Sequence, residues 1–569
     1  MTNSDGINNI AIGNNSLNIS NSSNNIAIGY NSLVLNTTGT LNIGIGKQSL
    51  AANTTGLYNC GLGDQTLFSN TIGEYNTALG HNTLRTNING SNNVAIGHKS
   101  LFSNITSDNV AIGYESLYFN SDGTNNTAIG KNSLYSNYIG GQNVAIGNNA
   151  LYTNTASDNV AIGYMALRAN TTGNKNTAVG TEALRSNLRA SDNVAVGYRA
   201  LFTNSDGNGN TAIGSRALYN NISGTKNIAI GFESLYNNIS GIDNIAIGYN
   251  NLYRNNGGGN NIAIGINCLS VNMSSDNIAI GRDALLTSTD GYYNIAIGTN
   301  SLSANKSGNG NLALGMESGA SNITGFGNTY IGSGSGSSIT TGYRNTFIGL
   351  DSGSVGNSNS VNVTCIGYDS GPIQIDNSII LGNNQINYLR CQVGLTVVSD
   401  KRDKTDIRQT KYGLDFINKL KPVDYKYDNR DYYKTQKPEK NDYKSNELYK
   451  NAMDIWKEEN TFDKLLERKN GSKKWSTYNH GLIAQEVDEC DTYGEFGGIK
   501  KIPNENGDID KYELTYSEFI APLIKAVQEL SQQNEKLAGQ NEKLAGQNAE
   551  LMRRVEELTE RVEVLENRT

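Results

Sequence analysis

Along most of the chain, apolar and polar positions return on a fixed clock. The segment Asn9-Ile10-Ala11-Ile12-Gly13 recurs as Asn25 to Gly29, Asn42 to Gly46 and Asn59 to Gly63, at steps of 16 or 17 residues, in a series that runs to Gly382. Self-similarity at a fixed period is the mark of a stacked repeat. In each unit, apolar residues sit three and one before the glycine, as in Val94 and Ile96, usually with Ala, Gly or another small residue between them. This alternation predicts a short strand. Four residues after the glycine comes Leu in the 18 units from Leu17 to Leu302, and three residues later usually Asn, which predicts a second anchored turn. The position four before the glycine is Asn in all 21 units from Gly13 to Gly349, far stricter than a loop of a globular enzyme requires.

One such unit cannot bury its own Ile and Leu side chains. Neighbours piled along an axis are expected to build a continuous apolar core from them, to pair their backbones, and to stack their Asn side chains in the same direction. At about 4.8 Å per coil the series makes a rod of roughly 100 Å. In the last units Gly319, Gly336, Gly353 and Gly371 replace the Leu, and the final two shift their Asn by one position, which predicts a narrower or more tightly wound neck. The two positions after the glycine vary freely (Asn14-Asn15, Lys47-Gln48, Arg282-Asp283), so there is no outward Thr array of the ice-binding kind. His81 and His98 fall at such positions and are expected to be solvated. Calcium-binding Gly/Asp nonapeptides are absent.

The repeats resemble the head repeats of trimeric bacterial adhesins, which share an Asn/Ser-x-Ala-Ile-Gly signature, and the repeats of tail-fibre-like proteins of phages and large DNA viruses. The unit here is longer than the adhesin one. The resemblance implies a mainly β stalk, a β-solenoid or β-roll of stacked 17-residue units that is trimeric. Stacking alone is equally met by a monomeric solenoid spacer.

After Gly382 the period stops, and Lys, Asp, Glu and Tyr rise sharply. The amphipathic stretch Gly413 to Leu420, ending before Pro422, predicts a helix. The segment runs Val398-Ser399-Asp400-Lys401-Arg402-Asp403-Lys404-Thr405-Asp406-Ile407, then Leu414 to Leu420, Pro422, Tyr425 and Tyr427. Later come His480-Gly481-Leu482-Ile483-Ala484-Gln485-Glu486-Val487, Tyr512 to Tyr516 and Ile520 to Leu530. That order of motifs resembles the intramolecular chaperone domain of endosialidase-type phage tailspikes, a self-cleaving peptidase family whose relatives include the myelin regulatory factor. A Lys-, Tyr- and Glu-rich stretch at about 429–474 reads as an insertion in it.

The resemblance implies a small α+β domain with a Ser-Lys dyad that falls on Ser399 and Lys404. Ser399 would attack the carbonyl of Val398 with Lys404 as general base, cutting the Val398-Ser399 bond once per chain. A lysine can act so only where burial or nearby positive charge leaves its amine neutral. Asp400 and His480 match family positions near the cut, where structural hydrogen bonding is the favoured role.

The tail carries Leu530, Leu537, Leu544, Leu551, Leu558 and Leu565 at intervals of seven, with Val527, Asn534, Asn541, Asn548, Val555 and Val562 at the paired position. This predicts a coiled coil, with three core asparagines that fix register at a cost in stability. β-branched residues and Asn opposite Leu favour two strands; the expectation of three comes from the resemblance.

Composition adds exclusions. A net charge of -7 with 17 % charged residues gives no basic face for nucleic acid. Cys60, Cys268, Cys365, Cys391 and Cys490 show no metal or disulfide spacing and are expected to be reduced packing residues. No cofactor or metal motif is found, no apolar run is long enough to span a bilayer, and the first residues lack signal-peptide character. The expected domains are an N-terminal tip (1–8), the repeat stalk (9–382), a neck or linker (383–398), a chaperone peptidase (399–525) and a coiled coil (526–569). The expected protein is a homotrimeric attachment fibre on a virion surface, made in a host cytoplasm, that meets a host receptor or glycan. It acts as a single-turnover autopeptidase with no external substrate. The alternative is a surface adhesin that never cuts and whose C-terminal part only caps the oligomer. A glycan-degrading tailspike and an autotransporter fit less well, lacking a carboxylate pair apart from the repeats and membrane strands respectively.

Overall fold

The computed structural model describes residues 6–371, 375–386, 389–390, 401, 404–428, 433, 435, 438, 446–460, 462–470, 472, 474, 478–503 and 509–567. The chain forms two compact units, residues 1–386 and 387–569.

The first unit is a β-solenoid. Each repeat gives one strand of three to five residues, from Ile10–Ile12 to Ile379–Leu381, and these stack as one 23-stranded parallel sheet. The register is locked like on like: Ile10 opposite Ile26, Ala128 opposite Ala145, Ile129 opposite Ile146. Each rung is a ladder of backbone bonds such as Ile26 N to Asn42 O at 2.9 Å and Gly29 N to Ile12 O at 2.8 Å.

The core differs from the sequence expectation. The middle residue of the strand points inward and the apolar residues on either side of it point out: Ala27, Ala128 and Ala145 are fully buried, whereas Ile12 is 59 % exposed. Leu and Ala, with buried Ser and Asn, fill the interior; the Ile and Val positions do not. The reason is volume, since a coil of 17 residues encloses little space and the Leu from the facing turn fills what a small strand residue leaves.

Two columns of buried asparagine run along most of the solenoid, one from Asn25 to Asn345 and one from Asn36 to Asn322 that is interrupted at Ser288. In the first, Asn42 N donates to Asn25 Oδ1 at 2.9 Å, while Asn42 Nδ2 reaches the turn carbonyl of Gly56 at 2.8 Å. In the second, Asn53 Nδ2 donates to Asn36 Oδ1 at 2.8 Å and Asn70 Nδ2 to Asn53 Oδ1 at 3.0 Å. The asparagine four before each glycine therefore satisfies a donor and an acceptor of the coils beside it, which accounts for its strictness.

The neck is not simply a tighter winding. Parallel pairing continues unchanged from Leu312–Leu314 through Thr346–Ile348, and the volumes are exchanged. Tyr330 and Phe347 stand where Ala stood, fully buried, in the room vacated by Leu. A Cβ on Gly336 would lie 2.2 Å from the Tyr330 ring, and one on Gly353 2.7 Å from the Phe347 ring. Burial pushes the Tyr330 hydroxyl well above its ordinary value, and its oxygen has no hydrogen-bond partner.

The variable positions are ordered between coils more than free variation suggested. Outside the two positions after each glycine, the residues just after the buried Leu are ordered too: Phe102, Tyr118, Tyr135 and Tyr152 stack at centroid spacings of 5.0, 5.3 and 5.1 Å. Arg199 pairs with Glu182 at 2.6 Å and Arg216 with Glu233 at 3.0 Å, each one coil away. His98 is likewise less solvated than its position suggested: it stacks between His81 and Tyr114, and its Nδ1 is buried without a partner.

The second unit is a small α+β assembly. Helix α1 (Leu414–Lys419) lies where the amphipathic stretch placed it. Val423–Tyr425 pairs antiparallel with Asn479–Gly481, and Ile499–Pro503 with Ile509–Leu514. Between the first pair come α2 (Asn446–Glu459) and α3 (Phe462–Arg468), inside the expected insertion. Helix α4 (Ala484–Cys490) follows, and α5 (Ile520–Glu566) runs for 47 residues. Tyr412, Phe416, Val487, Phe496 and Phe519 form the core. No helix among the described residues is long and apolar enough to cross a membrane.

Candidate functional site

Val398, Ser399 and Asp400 lie outside the described residues, as does Cys391. Lys404 is described and exposed, at the start of an irregular segment that leads into α1. Within one chain, this side chain lacks the burial that base chemistry calls for. His480 sits on the strand Asn479–Gly481 directly opposite Asp424, with its Nδ1 2.5 Å from the carboxylate. Both side chains are largely exposed.

The segment from Lys404 to α1 is gripped on several sides. Arg408 and Lys411 both reach Glu495, and these cations hold its carboxyl below the ordinary range. The Tyr412 hydroxyl donates to Asp491 Oδ1 at 2.7 Å. Asp491 also accepts from the backbone N–H groups of Tyr493, Gly494 and Phe496, closing the loop after α4. Burial opposes the charge on Asp491, yet these donors outweigh it and leave its carboxyl below the usual value. For Tyr412, burial first and the carboxylate second push the phenol up to about 12. From the far side, α5 supplies Glu529, whose Oε2 accepts from Leu414 N at 2.7 Å, and Lys525, which donates to the Thr410 carbonyl.

None of Asp491, Glu495, Lys525 and Glu529 stands out from the sequence motifs alone. Asp491-Thr492-Tyr493-Gly494 is a turn signal in its own right. The other three act through partners 84 to 115 residues away, which no local pattern reveals.

A second feature belongs to the solenoid. The residue just before each glycine is Ile, Val or Leu in all 23 strands, and every one faces outward. Beside it runs a row of Ile, Val, Leu, Thr or Cys, three before the glycine. Leu62, Ile162 and Ile213 are 37–41 % exposed, while most of the others, such as Ile129 and Ile146, are half-buried between coils. A continuous apolar row of this kind is the sort of surface that marks an interaction site. A similar stripe follows the α5 heptads, where Leu537, Leu544 and Leu551 are more than half exposed.

The described cysteines are free, Cys268 and Cys365 being buried and pushed up to about 11 by that burial. Among the described residues no cluster of His, Cys, Asp or Glu could hold a metal ion.

Residues 399–497 match the protein family described as chaperone of endosialidase, a peptidase family. The match covers the irregular segment, α1 to α4 and the loop closed by Asp491. Comparison with curated proteins and with solved structures gives no match. The chain thus places a chaperone-of-endosialidase domain after a long β-solenoid, the build of a tail-fibre-type protein with an intramolecular chaperone.

Proposed function

From that build we propose that the chain is the subunit of a homotrimeric attachment fibre whose C-terminal part directs assembly and then severs itself. The observation that carries this is the family match, which begins at Ser399, just beyond the end of the solenoid. Three chains meet first through α5 and the chaperone domain, which lowers the entropy cost of starting a parallel, in-register stalk. The outward Ile and Val stripe supports the same arrangement. It is apolar over every coil and has the same chemistry from end to end, so a second and third copy in register would cover it. One strand spacing sets the repeat in all three.

Cleavage follows assembly. Ser399 Oγ attacks the Val398 carbonyl, forming a C–O bond and breaking the C–N bond. Lys404 accepts the hydroxyl proton and returns it to the departing Ser399 amine. Water then hydrolyses the ester, leaving a Val398 carboxylate and restoring the hydroxyl. The exposure of Lys404 in a single chain fits a dyad that is desolvated only once neighbouring chains close over it. With the helper removed, the stalk has no easy route back, and its stability becomes kinetic. The virion surface is the place such a fibre serves, with a host receptor or glycan as its target.

Expression of wild type beside Ser399→Ala tests the reading. Two fragments from wild type and one full-length band from the variant support it; identical bands from both refute it. In the second case the C-terminal region acts only as an oligomerisation cap.

A further inference from the structure

Helix α5 has two working faces near its start. With Val527 and Leu530 in the heptad seam, Lys525 and Glu529 fall at the f and c positions, which point away from it. Both hold the Lys404-bearing segment. The Lys525 ammonium donates to the Thr410 carbonyl, and Thr410 Oγ1 in turn accepts from Tyr412 N at 3.2 Å. Glu529 takes the place of an N-cap for α1, whose own cap residue is Gly413 with no side chain to offer. A Cβ on Gly413 would lie 2.4 Å from Glu529 Oε2, so the glycine is what lets the carboxylate approach. Lys525 and Glu529 also pair with each other at 3.7 Å.

We propose that Lys525 and Glu529 are positioning residues for self-cleavage, carrying the alignment of the coiled coil to the segment that bears Lys404. This rests on the autoproteolytic reading above. The seam of α5 joins the chains, while its back fixes Thr410 and Leu414, six and ten residues beyond Lys404. The grip forms within a single chain; closing the seam steadies α5 and, through it, sets the segment against the neighbouring chains. Cleavage is thereby delayed until assembly.

The test uses the full-length protein and three readouts: the cleavage time course, the oligomeric state, and amide hydrogen exchange over residues 404–414. Lys525→Met and Glu529→Ala lie off the seam, so the oligomer and the thermal midpoint of α5 are expected to hold. Cleavage slows by at least about tenfold, as a misplacement of reacting groups by a fraction of an ångström implies, and exchange over 404–414 quickens. Lys525→Arg, which keeps the donor, restores both. Leu530→Asp with Leu537→Asp, which opens the seam, quickens the same exchange. Wild-type cleavage rates in Lys525→Met and Glu529→Ala overturn the proposal, as does exchange over 404–414 that none of these changes moves. If wild type itself stays uncut, as Ser399→Ala does, the autoproteolytic reading fails, and with it the role in cleavage; unchanged exchange in Glu529→Ala would separately show that α5 does not hold the segment.

Discussion

Eighteen leucines of the solenoid sit at φ between 48° and 53°, a left-handed conformation that side chains other than glycine rarely adopt. Each costs about 1–2 kcal/mol in backbone strain, against roughly 1.5–3 kcal/mol for fully burying a Leu side chain. The two are of similar size, so the hydrogen-bonded asparagine columns are needed beside Leu burial to hold the coil in this conformation. Tyr330 is the opposite case, a residue whose fit is imperfect. Its ring fills the core, but its hydroxyl is buried with no partner. Tyr330→Phe keeps the ring and removes the orphan group, so it should raise stability by about 1–2 kcal/mol. Chemical denaturation of the two proteins measures this directly, and a loss of stability would show that the hydroxyl is satisfied after all.

At the scale of the coil, the strand, the asparagine columns and the stacking axis were all legible in the spacing of Asn, Ile and Gly. Which side of the strand faces in was not. Alternation says only that Ala11 and its two Ile neighbours point opposite ways, and hydrophobicity alone selects the Ile. The decision belongs to the enclosed volume, which is set by Leu four residues past the glycine and is seen only when the coil is closed. The neck makes the same point: Gly353 read as a loss of bulk, while the compensating gain sits six residues earlier at Phe347. The exchange predicts a coupled pair. Gly353 has φ near +60°, close to the leucines it replaces, so its backbone accepts Leu and the obstacle is the Phe347 ring. Gly353→Leu alone should destabilise the stalk, and so should Phe347→Ala alone. Together they restore the Leu–Ala pairing of the other coils, with a favourable coupling of about 1–3 kcal/mol in a double-mutant cycle. Simple additivity of the two losses would mean that the positions do not share one cavity. The chaperone domain was legible as an order of motifs and as the α1 stretch, whereas its clasp at Asp491 and Glu529 depends on partners far along the chain.

For the whole molecule, two apolar stripes lie open on one chain, along the solenoid strands and along the α5 heptads, and the account has like chains cover both. Ile129→Asp with Ile146→Asp places charge on the outer face of adjacent strands. The core of the coil is left intact, because neither side chain belongs to it, and the two carboxylates repel only modestly across one strand spacing. Circular dichroism of the stalk should stay as it is while sedimentation shifts from trimer towards monomer, since an unpaired charge buried in an interface is strongly unfavourable. An undisturbed trimer would place the contact on another face. In the proposed scheme the assembled protein is no longer one polypeptide. Intact-mass spectrometry of the purified, assembled wild type decides it: the account predicts a stalk ending at Val398 and a separate fragment beginning at Ser399, and a single species of all 569 residues would contradict it.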